Sequence, residues 1–131
     1  MLQEGNIGQP KLGSTNVERR KYPRFKINLP IKYCRVDFDA LEELTGQALN
    51  ISEGGLEIQL SESLEVGQQL TLKLFYSGGS EPNIFEVLAE IVWADFNAGG
   101  NGGNWRYGVR FVEVSPDNIN KLKNFIQSLS K

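Results

Sequence analysis

Two short elements hold the side chains best suited to chemistry: Arg20-Lys21-Tyr22-Pro23-Arg24 and, further on, Asn50-Ile51-Ser52-Glu53-Gly54-Gly55. Two guanidiniums four positions apart, in a segment that Pro23 biases away from helix, can reach around one compact ligand from different sides. Arginine forks onto phosphate oxygens and also stacks flat on a base, so the pair suits an anionic ligand with planar rings. In Asn50-Ile51-Ser52, alternate strand residues share a face, and an amide and a hydroxyl project together at the end of a strand. Gly55 lets backbone approach a ligand with no Cβ in the way. Each element also has an ordinary reading. A bare R-x-x-x-R is what a solvated basic linker shows, and N-x-S-x-x-G is what a hairpin turn with side-chain caps shows. Asn50-Ile51-Ser52 is a glycosylation sequon as well, but that reading requires export.

Composition narrows the classes open to such a site. A chain of 131 residues with 40% hydrophobic content supports one core, so one domain is expected. Histidine is absent, which removes the residue most used for proton transfer near neutral pH. No spacing of nucleophile and base is visible, and the expectation is a binding domain, not an enzyme. With Cys34 as its one cysteine and no histidine, the chain cannot build an intramolecular disulfide or a familiar zinc or redox motif, and Cys34 reads as a small apolar strand residue. No metal site is expected. No stretch approaches the roughly 18 apolar residues of a membrane span, and the start MLQEGNIGQPKLGST lacks the order of a secretory signal, so the expected location is cytoplasmic.

Charge is unevenly placed. Residues 1–26 hold six basic side chains against Glu4 and Glu18, a local +4, while the rest of the chain holds eight basic and fourteen acidic residues. An acidic body with a basic arm points to a local anion site and away from a long polyanion tracked over a basic face.

The elements that must position these residues follow from periodicity. Residues 1–17, rich in Gly, Ser, Asn and Gln, read as a disordered tail, leaving a domain over 18–131 that includes a basic arm at 18–26. Phe25, Ile27, Leu29, Ile31 and Tyr33 alternate as in a strand with one buried face, and Pro30 marks an irregular point or an edge. Acidic Asp37 to Glu43 reads as a connection. Leu44 to Ile51, then Leu56, Ile58 and Leu60, form a hairpin around Gly54 and Gly55, glycines expected to supply the positive φ of a tight turn. Leu70, Leu72, Leu74 and Tyr76 alternate up to Ser77-Gly78-Gly79-Ser80. Phe85, Val87, Ala89, Ile91 and Trp93 do so next, which assigns Trp93 to the core or to hairpin packing, with an aromatic wall for a base as the other reading. After a glycine-rich turn at 97–104, Trp105, Tyr107, Val109 and Phe111 make a sixth strand. Ile119, Leu122, Phe125, Ile126 and Leu129 then fall on one helical stripe over 115–130, with Ser115 as N-cap, Pro116 at the first position and Asp117 complementing the dipole. The expected class is all-β, a six-stranded antiparallel (split) β-barrel with a C-terminal α-helix.

The two motifs at this spacing, the strand order, the Tyr107-Gly108-Val109-Arg110-Phe111 strand and the final helix together resemble the PilZ domain family over approximately residues 18–130. The resemblance implies binding of the bacterial second messenger cyclic di-GMP, with no other cofactor. Arg20 and Arg24 match the family's arm arginines, which grip phosphates and stack on or hydrogen-bond guanine. Asn50 and Ser52 match the polar pair that faces a guanine, and Gly55 the glycine that leaves it room. Asn50 stands where many relatives carry Asp. Arg19 matches a position where a basic residue is associated with a stacked ligand dimer; a solvated side chain is the other reading. Closure of the arm over ligand would change the surface offered to an unidentified downstream protein. Two further readings belong to other classes. One is a PilZ-like protein-interaction adaptor that binds no nucleotide. The other is a single-stranded nucleic-acid-binding barrel, which the acidic body disfavours, so no nucleic acid is expected as partner.

Overall fold

Alternating apolar residues fold into six strands, β1 (Phe25–Arg35), β2 (Leu44–Ile51), β3 (Gly55–Leu60), β4 (Gln69–Gly78), β5 (Glu81–Phe96) and β6 (Trp105–Glu113), followed by a helix, α1 (Pro116–Leu129). The structure, a computed structural model, describes residues 23–36, 43–78, 81–96 and 104–130. The tail at 1–17, Arg19 and Arg20, most of the acidic connection after Val36 and the glycine-rich turn before Asn104 lie outside the described residues. All neighbouring strands are antiparallel. They close in the order β1-β2-β3-β6-β5-β4, because β1 pairs with β4 as well as with β2. Closure is the expected solution to the edge problem, since an open sheet leaves two rows of unpaired backbone groups.

Inside the barrel Ile31, Ala48, Ile58, Leu72, Ile91 and Tyr107 are among the side chains almost wholly removed from water, and no polar or charged residue other than tyrosine is buried among the described residues. Each such isoleucine or leucine contributes about 1.5–3 kcal/mol by burial. The Tyr107 hydroxyl donates to the Glu62 carbonyl at 2.9 Å and accepts from the Leu64 amide at 2.7 Å, tying the β3–β4 connection to β6. The Tyr33 hydroxyl donates to the Glu62 carboxylate at 2.7 Å, which also lies 3.6 Å from the Arg35 guanidinium.

Burial raises the hydroxyl pKa of Tyr33, Tyr76 and Tyr107 above the ordinary 10.0, and for Tyr33 the Glu62 carboxylate adds to it. A phenol that holds its proton more tightly when folded contributes stability that is complete below the unfolded pKa and is lost as pH rises past it. Urea unfolding at about pH 8 and at about pH 10.5 is therefore expected to show lower stability at the higher pH, with a shallower fall for Tyr33→Phe. Equal stability at both values would remove the tyrosines from this role.

Helix α1 begins as the sequence expects. The Ser115 hydroxyl accepts from the Asn118 amide at 3.3 Å, and Asp117 sits in the first turn. Asn118 and Lys121 then anchor the helix to β5, the first accepting from the Glu86 amide at 2.8 Å and the second donating to the Ile84 carbonyl at 3.1 Å. Leu122 and Ile126 are buried, and Phe125 packs on Tyr76 with ring centroids 4.6 Å apart. Ile119 departs from the expected stripe, remaining 38% exposed at its edge. No helix among the described residues is long and apolar enough to cross a membrane.

One expectation is decided between its alternatives and another is corrected. Pro30 pairs regularly with Gln47, and the irregularity of β1 lies between Lys26 and Leu29. Pairing of β1 with β4 starts only at Ile31, so Pro30 sits where β1 has a paired neighbour on one side only, the edge that its sequence reading allowed. The β2–β3 hairpin forms, but Gly67 (φ 97) is the positive-φ glycine among the described residues, and Gly54 and Gly55 are not. The turn is held by the Ser52 amide donating to the Gly55 carbonyl at 2.9 Å and the Gly54 amide donating to the Ser52 hydroxyl at 3.2 Å.

Candidate functional site

The register of five strands sets one rung across the outer face of the barrel. Lys26 on β1 pairs with Asn50 on β2, Asn50 with Glu57 on β3, Glu57 with Gly108 on β6, and Gly108 with Trp93 on β5. Register shifts lie beside this rung on three strands, between Lys26 and Leu29, between Ala48 and Asn50, and between Ile91 and Trp93. Each such bulge adds a residue to one strand and re-aims the side chains beyond it. Ile91 and Ala48 face the core, and strict alternation would turn Trp93 and Asn50 inward behind them. With Leu49 and Val92 as the extra residues, Asn50 and Trp93 instead line an external recess. This takes Trp93 out of the core; its indole packs across β5 and β6 against Gly108, the hairpin-packing role expected of it, at the edge of the recess.

The recess has a volume of about 220 Å3 and is lined by Arg24, Asn50, Ser52, the Gly54 to Glu57 segment, Val92, Trp93, Gly108 and Val109. Two glycines shape it. A Cβ on Gly108 would fall inside the indole of Trp93, so the ring lies directly against bare backbone. A Cβ on Gly55 would overlap the Val109 carbonyl oxygen, so the missing side chain is first a condition for β3 to approach β6, and the room it leaves toward a ligand is secondary.

The polar groups are held in a defined arrangement. Asn50 Nδ2 donates to Glu57 Oε1 at 2.6 Å, and Arg106 Nη1 lies 3.2 Å from Glu57 Oε2. Arg106 also reaches Asp95, 3.6 Å away, while its buried Nε meets no acceptor among the described residues. The Glu57 side chain is only 14% exposed. Asn50, Glu57 and Arg106 also border an open groove of about 510 Å3 that continues toward Lys26, Gln47 and Gln59. Arg110, which neighbours the recess on β6, is paired with Glu90 at 2.6 Å. Arg24 is exposed at the mouth, one residue before β1 begins. Such a recess offers a cationic fork, a fixed amide, a hydroxyl and an aromatic face, a set that suits a planar heterocycle carrying an anionic group.

Of the residues singled out from sequence, Arg24, Asn50, Ser52, Gly55 and Trp93 are brought together here; Arg19 and Arg20 lie outside the described residues. Sequence reasoning missed Glu57, Gly108, Val92 and Arg106. A signal for Glu57 was present, since it lies two residues after Gly55 and shares its face on β3.

The sequence matches the family model described as PilZ domain over residues 18–128. No curated protein matches it significantly. Among solved structures, the Bacillus subtilis inhibitor of motility MotI/DgrA superposes with a TM-score of 0.70 at 19% identity, covering 88% of this chain and 54% of that one. The chain thus spans about half of that protein's length. The PilZ domain of YcgR from Escherichia coli, solved with c-di-GMP, gives a TM-score of 0.65 at 20% identity over 86% of this chain and 92% of that one. The PilZ domain of CeSA from a cellulose-synthesizing bacterium gives 0.58 at 17% identity, over 83% and 99%. These identities speak to the fold, the barrel and its final helix; the family match rests on the sequence itself and takes in both the basic arm and the β2–β3 turn. The chain belongs to the PilZ domain family.

Proposed function

We propose that this domain is a receptor for cyclic di-GMP, taking one guanine into the recess between Asn50, Ser52 and Trp93 while Arg24 meets the adjoining phosphate. The observation that carries this reading is the convergence of Arg24, Asn50, Ser52 and Trp93, from three separate parts of the chain, on one recess. Its volume of about 220 Å3 lies below the roughly 300–1,000 Å3 of a pocket that encloses a whole small molecule. That size suits a single base, with the rest of the ligand lying over the open mouth. In this reading Arg20 and Arg24 of the arm at 18–26 close onto the phosphates and the second guanine, and Arg19 adds a further contact, as the family resemblance implies. Family membership and the YcgR domain solved with c-di-GMP support the same ligand. Arm closure would alter the surface seen by a downstream protein, with no bond made or broken in the ligand.

Calorimetric titration of the full chain with cyclic di-GMP tests this. Saturable heat is expected, together with shifts in the amide signals of Arg20 to Arg24, Asn50 and Ser52 and in the indole signal of Trp93. Neither heat nor thermal stabilisation at high ligand concentration would overturn the reading and leave the barrel as an interaction module.

A further inference from the structure

We propose that Glu57 is a positioning residue that locks the Asn50 amide with its carbonyl oxygen presented as an acceptor, and so makes this site select the N1–H and N2–H2 donors of guanine. The inference rests on the cyclic di-GMP reading and deepens it. A carboxylate at neutral pH only accepts hydrogen bonds, whereas an amide has one accepting and one donating end. Glu57 is held at one oxygen by Arg106 and meets Asn50 with the other. Turning the Asn50 amide over would set oxygen against oxygen at 2.6 Å. The nitrogen therefore stays on the Glu57 side, and the carbonyl oxygen meets no donor among the described residues. Asn50 thus behaves toward a ligand as an aspartate would, without its charge. A true carboxylate at position 50 would face the Glu57 carboxylate directly, two like charges in contact. Asn at position 50 and Glu at position 57 are in this sense one choice.

The test is a cycle of three variants titrated with cyclic di-GMP in the full chain, each checked by thermal melting. In Glu57→Gln the new amide keeps its oxygen on Arg106 and turns its nitrogen to Asn50, which must flip and offer a donor to guanine. Binding is expected to weaken by about tenfold, the effect of one mismatched hydrogen bond. Asn50→Asp alone is expected to weaken it by at least about tenfold through carboxylate repulsion. The double variant Asn50→Asp with Glu57→Gln restores an acceptor toward the ligand and a donor–acceptor pair within the site, and should bind within about threefold of wild type. Such rescue distinguishes positioning from a general structural role, in which the two losses would add.

Wild-type affinity in Glu57→Gln, or additive losses in the double variant, would overturn the inference while leaving the receptor reading intact. Absence of binding by the wild type would overturn the receptor reading and the inference with it. Should Glu57→Gln fail to fold, the side-chain amide protons of Asn50 in the unliganded wild type carry the test. Slow solvent exchange sustains the lock, and exchange at the rate of an exposed amide overturns it.

Discussion

Arg24→Ala is expected to weaken cyclic di-GMP binding by roughly 30- to 1,000-fold while leaving the melting temperature almost unchanged. The range follows from losing a charge-assisted contact and a stacking contact, together about 2–4 kcal/mol. The neutrality toward folding follows from position. Arg24 is exposed, precedes the first residue of β1 and borders the recess without entering the core. Surface substitutions of this kind change stability by about 0.5 kcal/mol or less. Arg20→Ala is expected to behave alike, because both guanidiniums are assigned to the same ligand. Calorimetry and thermal melting of the same samples decide the matter. A large fall in melting temperature would make these arginines structural, and unchanged affinity would detach the arm from the site.

Gly55→Ala is expected to do the opposite, damaging the fold before it touches the ligand. The added methyl would overlap the Val109 carbonyl oxygen, and because that atom belongs to the backbone of β6, a strand and not a side chain must move. Overpacking of this kind costs about 1–3 kcal/mol and occasionally more. For a domain of about 100 residues each kcal/mol shifts the melting temperature by about 4–8 °C, so a drop of about 4–24 °C is expected. The Gly54 carbonyl accepts from the Phe111 amide at 2.9 Å, so the same displacement would loosen the hairpin that carries Ser52. Thermal melting with no ligand present is the deciding measurement. An unchanged melting temperature would show that β3 and β6 can separate without loss, and would return Gly55 to a purely ligand-facing role.

The strands were legible in the sequence because each buries one face, so the alternation of Ile31 and Tyr33, of Leu56, Ile58 and Leu60, or of Leu70, Leu72 and Leu74 is a direct imprint of burial. The helix was legible for a similar reason, with Ser115, Pro116 and Asp117 marking its start. The motif residues were found because the side chains that suit a phosphate and a base are few and lie close together in the chain. What stayed hidden depends on pairing between strands distant in sequence. An extra residue such as Val92 has no signature until β6 is laid beside β5, and for that reason the sequence left Trp93 between the core and hairpin packing. Glu57 gained its meaning only beside Arg106, which the chain reaches three strands later.

The bulges beside the rung give the site an unusual kind of heredity. Leu49 and Val92 are absorbed as the extra residues of bulges, so Asn50 and Trp93 face outward although each stands two positions after a core residue. In genetic terms the recess tolerates a change of parity at these two points. Loss of one codon at either position would set Asn50 directly after Ala48, or Trp93 directly after Ile91, and plain alternation would then keep the amide or the indole outward while erasing the local kink that aims it.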